Sequence, residues 1–252
     1  LTKSFVLSSK KGKEAYIKPI VVGDKYHFEV KVGETPSEAK SGTKTSRGAN
    51  FKCLLSGSPI DKKHILSEVN GPGLSKKLMA IVLEGKKGRV YIAPTSEHER
   101  VAKQCKPDFI PSQKIEGSSQ YLGCKGYGMT TFGDLFTPRQ LSGLATFSDL
   151  IQEARSKAIA NAKTAGVPND DVGIDSGGGG ATAYGDAIAV YLSAALGKAS
   201  DYNSSISTWG SSRQSIRNTF GRQAIPMTWD YAEANILGDS TGGFLSGIDQ
   251  VC

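Results

Sequence analysis

Within sixteen residues, Asn218-Thr-Phe-Gly-Arg-Gln223 and its continuation Pro226-Met-Thr-Trp-Asp-Tyr-Ala-Glu233 collect an arginine, a glutamine, two acids and the aromatics Phe220 and Trp229. A stretch kept only for packing would spend more of these positions on Leu and Ala. Polar and aromatic residues carried on a loop are the usual material of binding sites. Arg222 has the planar fork that holds a phosphate or a carboxylate through paired hydrogen bonds. Gln223 suits a base edge or the bracing of a loop. We expect Phe220 and Trp229 to be core. Arg222, Gln223, Asp230 and Glu233 should converge on one cleft-facing wall beside Trp229, with Asn218 a further wall candidate. A well-packed helical corner is the competing reading of the same residues.

A second chemistry is cationic. Lys10, Lys11 and Lys13 crowd the basic opening of the chain, and Lys86, Lys87 and Arg89 stand at the tip of a later hairpin, where they are candidates for phosphate contacts. The 252 residues carry a net charge of +7, unevenly placed. Residues 1–126 hold 23 Lys and Arg against 12 Asp and Glu, a net +11; residues 127–252 hold 8 against 12, a net −4. Such asymmetry suits a polyanion partner on the first half, or simply soluble lysine-rich loops. Asp175-Ser-Gly-Gly-Gly-Gly180 lacks the preceding strand and the Lys-Ser/Thr of a phosphate-binding loop, and its spacing is not G-x-G-x-x-G. It reads as a flexible entry into a helix. Cys53, Cys105, Cys124 and Cys252 form no C-x-x-C pair, a placement that fits a reducing cytoplasm better than a disulfide framework.

The wording NTFGRQAIPMTWDYAEAN (218–235), with YGMTTFGDLFTPRQL (127–141), resembles a prokaryotic family described as adenine-specific DNA methylases containing a zinc ribbon. The likeness covers nearly the whole chain and is densest over 127–152 and 183–244. It implies a Rossmann-like domain that binds S-adenosylmethionine and transfers its methyl group to the exocyclic nitrogen of an extruded adenine. It also implies DNA as a partner, together with the remaining segments of the methyltransferase or a partner subunit. Two family motifs are missing from these residues: a glycine-rich cofactor turn and an Asp-Pro-Pro-Tyr-type motif, and no Pro-Pro dipeptide occurs. We therefore expect no catalytic residue in this chain, which matches the middle of such an enzyme. The family's C-x-x-C-G knuckle falls on Cys53-Leu-Leu-Ser-Gly57, where Ser56 replaces the second cysteine. Structural zinc needs four ligands in a closed shell, so we expect a degenerate ribbon without zinc. A non-catalytic nucleic-acid-binding or scaffold module, such as a split subunit, is the alternative. A different nucleotide-handling enzyme is disfavoured by the lack of a phosphate loop.

The elements that must position these residues suggest an α+β chain in two parts. Residues 1–125 read as a basic, β-hairpin-rich, degenerate ribbon; residues 126–252 read as a mainly α-helical segment of a Rossmann-like methyltransferase. Ala15–Val22 and Tyr26–Val32 predict strands about a Gly23-Asp24 turn, with Tyr26, Phe28, Val30 and Val32 on one face. Residues 33–50 predict a mobile loop and Pro59–Glu68 a short helix. Leu78–Leu83 and Arg89–Ala93 predict a second hairpin, and Thr95 opens a helix reaching about Cys105. Thr137 and Pro138 start a long helix ending at Gly166. Another spans Thr182 to about Ser200, with Tyr184, Ile188, Tyr191, Leu192, Ala195 and Leu196 as its buried face. Trp209 is expected in a loop and Arg213–Phe220 in a short helix. No stretch approaches the roughly 20 apolar residues of a membrane helix, and Phe5-Val-Leu7 is too short for a signal peptide. Beginning at Leu1 and stopping at Cys252, the sequence reads as a piece cut from something longer.

Overall fold

β-Branched and aromatic residues dominate the opening segment, and they build strands. In a computed structural model that describes residues 1–251, β1 (Val6–Ser8), β2 (Ala15–Val22) and β3 (Lys25–Val32) form an antiparallel sheet in the order β1-β2-β3. Cys252 lies outside the described residues. β1 pairs only with Ala15 and Tyr16, so Pro19 sits beyond it and its missing N–H breaks no ladder. Phe28 is buried with Phe5, Leu7, Ala15, Ile17 and Ala39. The alternating face fades toward its end, however, and Val32 is 77% exposed.

The expected mobile loop after β3 is partly ordered. A short helix, α1 (Ser37–Ser41), packs back on the chain, with the Phe5 N–H donating to Ala39 O at 2.7 Å and the Thr43 N–H to Thr2 O at 3.0 Å. β4 (Phe51–Lys52) and β5 (Pro59–Ile60) make a two-stranded hairpin. The helix expected from Pro59 starts later, as α2 (Lys62–Asn70), because Asp61 caps it by accepting the His64 N–H at 2.8 Å. β6 (Ile81–Gly85) and β7 (Gly88–Ile92) turn over on Lys86-Lys87. α3 (Ser96–Lys103) follows, with Thr95 and His98 forming a reciprocal cap.

α4 (Pro138–Thr164) begins at Thr137 as the sequence predicts. α5 (Ala181–Ser200) also lies where expected, and of its expected buried face Ala195 is buried and Leu192 and Leu196 pack against the core, but the two tyrosines do not. Tyr184 and Tyr191 are each 55% exposed, whereas Ala181, Ala183, Gly185, Ala195 and Ala199 are buried. Small residues form the contact because α4 and α5 approach closely. Trp209 stands in a strand, and Arg213–Phe220 is not helical: β8 (Thr208–Gly210) and β9 (Ser215–Arg217) form a hairpin there. α6 (Phe244–Val251) closes the described chain.

The chain is thus α+β, with small antiparallel sheets. Its two compact units are interleaved along the sequence, where the composition change suggested one boundary near residue 125. Unit 1 takes Leu1–Cys105, Ser112–Leu135 and Ser205–Ala232; unit 2 takes Lys106–Pro111, Phe136–Ser204 and Glu233–Cys252. Unit 1 contains all nine strands with α1 to α3, and unit 2 contains α4, α5 and α6 around Ile151, Ala195 and Phe244. Among the described residues no helix is long and apolar enough to cross a membrane.

Candidate nucleic-acid interface

Three hairpin ends of unit 1 are tied into one surface. The turn between β1 and β2 carries Lys10, Lys11 and Lys13, all exposed. Lys13 Nζ donates to the Lys87 carbonyl at 3.0 Å, which joins that turn to the β6–β7 tip. The Ser9 N–H donates to Ser211 O at 3.2 Å, joining it also to the β8–β9 tip. Trp209 Nε1 donates to Leu7 O at 2.6 Å, one strand back from the same junction. Sequence-distant cations are therefore held side by side by backbone and side-chain hydrogen bonds.

At this end Lys10, Lys11, Lys86, Lys87 and Arg213 are exposed and make no hydrogen bond or ion pair through their side chains among the described residues. Arg89 is more enclosed, and its Nη1 is bound to Glu84 Oε1 at 2.6 Å. The charge follows the units more sharply than it follows the halves of the sequence. Unit 1 holds 25 Lys and Arg against 13 Asp and Glu, a net +12, and unit 2 holds 6 against 11, a net −5. Exposed like charges gathered at one end of a domain raise the local positive potential there.

The sequence missed the third end. Reading Arg213–Phe220 as a helix hid Arg213 and Gln214, which occupy the β8–β9 turn. Gly210-Ser-Ser212 ahead of them is turn chemistry and was the available signal. Gln214 adopts φ +54°, in the left-handed region that residues other than glycine rarely take. Its Nε2 lies 2.9 Å from Ser8 Oγ and 2.8 Å from the Tyr91 hydroxyl, and its N–H donates to Gly210 O at 2.7 Å. Burial pushes the Tyr91 phenol above its ordinary pKa, against the pull of the Gln214 and Ser8 hydrogen bonds.

The residues expected to form a wall are placed as follows. Trp229 is half-buried, with Phe51 and Tyr127 edge-on to its ring at centroid distances of 5.4 and 4.9 Å. Phe220 is not core: it is 42% exposed, because residues 218–223 run as an open turn rather than a packed helix. Asn218, Arg222 and Gln223 are exposed there, and Arg222 and Gln223 make no hydrogen bond or ion pair among the described residues. Asp230 turns to the opening residues of unit 1, where its Oδ2 accepts from the Lys3 N–H and the Thr2 hydroxyl, each at 3.0 Å. Glu233, in unit 2, lies at the start of α4, gripped by Arg139 through Nε–Oε1 at 2.9 Å and Nη2–Oε2 at 2.8 Å. Thr137, the cap of α4, adds a contact from its hydroxyl at 3.3 Å. Both acids therefore have structural partners of their own, and neither bonds to Arg222 or Gln223.

Cys53 sits at the β4–β5 turn. Its N–H donates to Ser58 O at 2.8 Å, and the Gly57 N–H donates to Cys53 O at 3.0 Å, closing the β4–β5 turn. Hydrogen bonds from the Ser56 N–H, then the Ser56 hydroxyl, then the Leu55 N–H hold the thiol below its ordinary pKa. Cys53 is the one group there suited to a soft metal. No cluster of three or more His, Cys, Asp or Glu side chains is assembled among the described residues.

In the glycine run of 177–180, Cβ atoms at Gly178 and Gly180 would lie 2.1 Å from Val172 O and 2.6 Å from Pro168 O, so these two positions pack against the chain's own backbone, whereas Gly177 and Gly179 face open space. No protein-family model, curated protein or solved structure matches this chain.

Proposed function

We propose that this chain is the DNA-side segment of an S-adenosylmethionine-dependent adenine-N6 DNA methyltransferase acting in the cytoplasm. In this reading unit 1 meets the phosphate backbone, and α4 and α5 belong to a Rossmann-like domain completed by other segments. The cofactor and the extruded base are held by residues outside this chain, which contains neither the family's glycine-rich cofactor turn nor a Pro-Pro dipeptide. Support comes from the resemblance of residues 127–152 and 183–244. One geometric observation carries the DNA side: the separate basic turns are bonded into a single surface on a unit of net +12. Arg222 and Gln223, exposed and unpaired, remain available to substrate.

The test of the DNA side is duplex binding by the chain across a salt series. Each phosphate neutralised contributes about −0.9 to the slope of log affinity against log salt. Binding should be weak and indifferent to sequence, and it should collapse when Lys10, Lys11, Lys86 and Lys87 are all changed to Glu. No binding at low ionic strength, or binding insensitive to salt, overturns it. The missing motifs equally favour a non-catalytic module that completes a partner. Methyl transfer from tritiated S-adenosylmethionine separates the two readings. The chain alone should be silent, and the complete protein should label DNA only if the enzymatic reading holds.

A further inference from the structure

The β8–β9 tip has features that a simple reversal of the chain does not require. Its last turn residue, Gln214, is held at φ +54°, although a glycine would take that conformation without strain. Strain of this kind persists where the surroundings over-determine it, and it gathers at functional positions. Here the surroundings are specific. One carboxamide spans Ser8 on β1 and Tyr91 on β7, so a single side chain fastens the tip to both other basic hairpins. The Ser9–Ser211 backbone bond fixes the opposite side of the turn. Between these two anchors stand Ser212 and Arg213, both exposed, with the guanidinium unpaired among the described residues. The two anchors fix the backbone that carries this cation beside the turns of Lys10, Lys11, Lys86 and Lys87.

We propose that the β8–β9 tip is the third phosphate-gripping arm of this surface, with Arg213 contacting the DNA backbone and Gln214 as the positioning residue that clamps it beside Lys10, Lys11, Lys86 and Lys87. The proposal rests on the DNA-side reading above and extends it to two residues outside the original candidates. The partner is duplex DNA, whose dense backbone phosphates are the charge complement of three linked cationic arms. An anionic lipid surface is the competing partner.

Fluorescence anisotropy of a short labelled duplex, titrated with the chain over a series of KCl concentrations, is the experiment. Arg213→Ala should flatten the salt slope by about 0.9, the contribution of one phosphate, without moving the melting temperature. Gln214→Ala leaves the net charge unchanged, yet it should flatten the slope similarly because Arg213 is no longer held. Gln214→Gly accommodates the positive φ but lacks the clamp. It should behave like Gln214→Ala in binding while keeping the hairpin's backbone. If Arg213→Ala binds with an unchanged slope while Lys10→Ala/Lys11→Ala flattens it, the tip is a bystander and only this proposal fails. If the unmodified chain does not bind duplex DNA at any salt, the DNA-side reading itself fails. Arg213-dependent binding to phosphatidylserine vesicles, with none to the duplex, overturns the proposal in favour of the lipid surface.

Discussion

Arg222, exposed, and Cys53, half-buried, show how differently two groups are prepared. Among the described residues Arg222 makes no hydrogen bond or ion pair that would tie its charge to the fold. Replacing an exposed, unpaired arginine changes stability by about 0.5 kcal/mol or less. If the proposed methyltransferase reading holds, Arg222→Ala in the complete protein should leave the melting temperature in place and lower methylation at least about tenfold, the effect of losing roughly 1.4 kcal/mol of transition-state binding. Unchanged methylation would leave residues 218–223 as a surface turn. Cys53 is prepared by its neighbours instead. Donors from Ser56 and Leu55 stabilise the thiolate, which is the nucleophilic form. Iodoacetamide should therefore alkylate Cys53 at a lower pH than an ordinary thiol. Cys124, with no exposed surface and its pKa raised by burial, should remain unmodified until the protein unfolds. Ser56→Ala should slow Cys53 and leave Cys124 alone, as peptide mapping after timed labelling would record.

Helix contacts in unit 2 are set by glycines as much as by apolar side chains. A Cβ at Gly185 would lie 2.3 Å from Ile159 Cγ1 and 3.0 Å from Arg155 O, so α5 seats against α4 only without one. At Gly247 a Cβ would come within 2.6 Å of Ala195 O, a backbone atom that cannot swing aside. Alanine gains up to about 1 kcal/mol in helix propensity, while overpacking costs about 1–3 kcal/mol. Both substitutions should destabilise, and Gly247→Ala should do so more because the obstructing atom is backbone. Equal or higher melting temperatures would show that the helices shift to make room. These contacts also explain what the sequence concealed. The period of α5 placed Tyr184 and Tyr191 inside, since large apolar residues are assumed to fill cores. A close crossing reverses that assignment, putting alanine and glycine at the contact and tyrosine outside. The strands of β2 and β3 were legible because alternation and a Gly-Asp turn are local signals. The β8–β9 hairpin was not, because its three-residue strands are too short to alternate. What fixes them is non-local: Ser8, Tyr91 and Leu7, each more than a hundred residues away from its partner. The same holds for the candidate surface. Its lysines were visible in the sequence, but the bonds that bring their turns together were not.

For the whole molecule the decisive feature is segregated charge, +12 on one unit and −5 on the other. The two signs respond to pH in different ways. In unit 2, Asp186 is held below its ordinary pKa by Arg155, whose Nε lies 2.6 Å from Oδ1, and by the Ile174 N–H. Asp170 is lowered by the Val172 and Gly179 N–H groups. In unit 1, burial pushes Asp134 up, but hydrogen bonds from Thr131 and Thr130 outweigh it and leave the carboxyl low. A carboxyl with a depressed folded pKa adds stability that is fully present above its unfolded value of about 3.9 and is lost as pH falls through the folded value. Cys124 and Tyr91 act in the opposite sense. Their raised values favour the folded state below the unfolded pKa values of about 8.5 and 10, and that contribution is lost as pH rises through the folded values. The melting temperature should therefore be level from about pH 5 to 8 and fall on either side. The acid limb should be the steeper one for unit 1, since neutralising its acids leaves an unbalanced array of cations to repel one another. Asp186→Asn should lower the melting temperature near pH 7, and the deficit should shrink as the pH falls through the depressed folded value of the aspartate. Differential scanning calorimetry across this range checks each limb. An Asp186→Asn deficit that persists undiminished through the acid limb would show that the Arg155 contact stabilises through packing rather than charge.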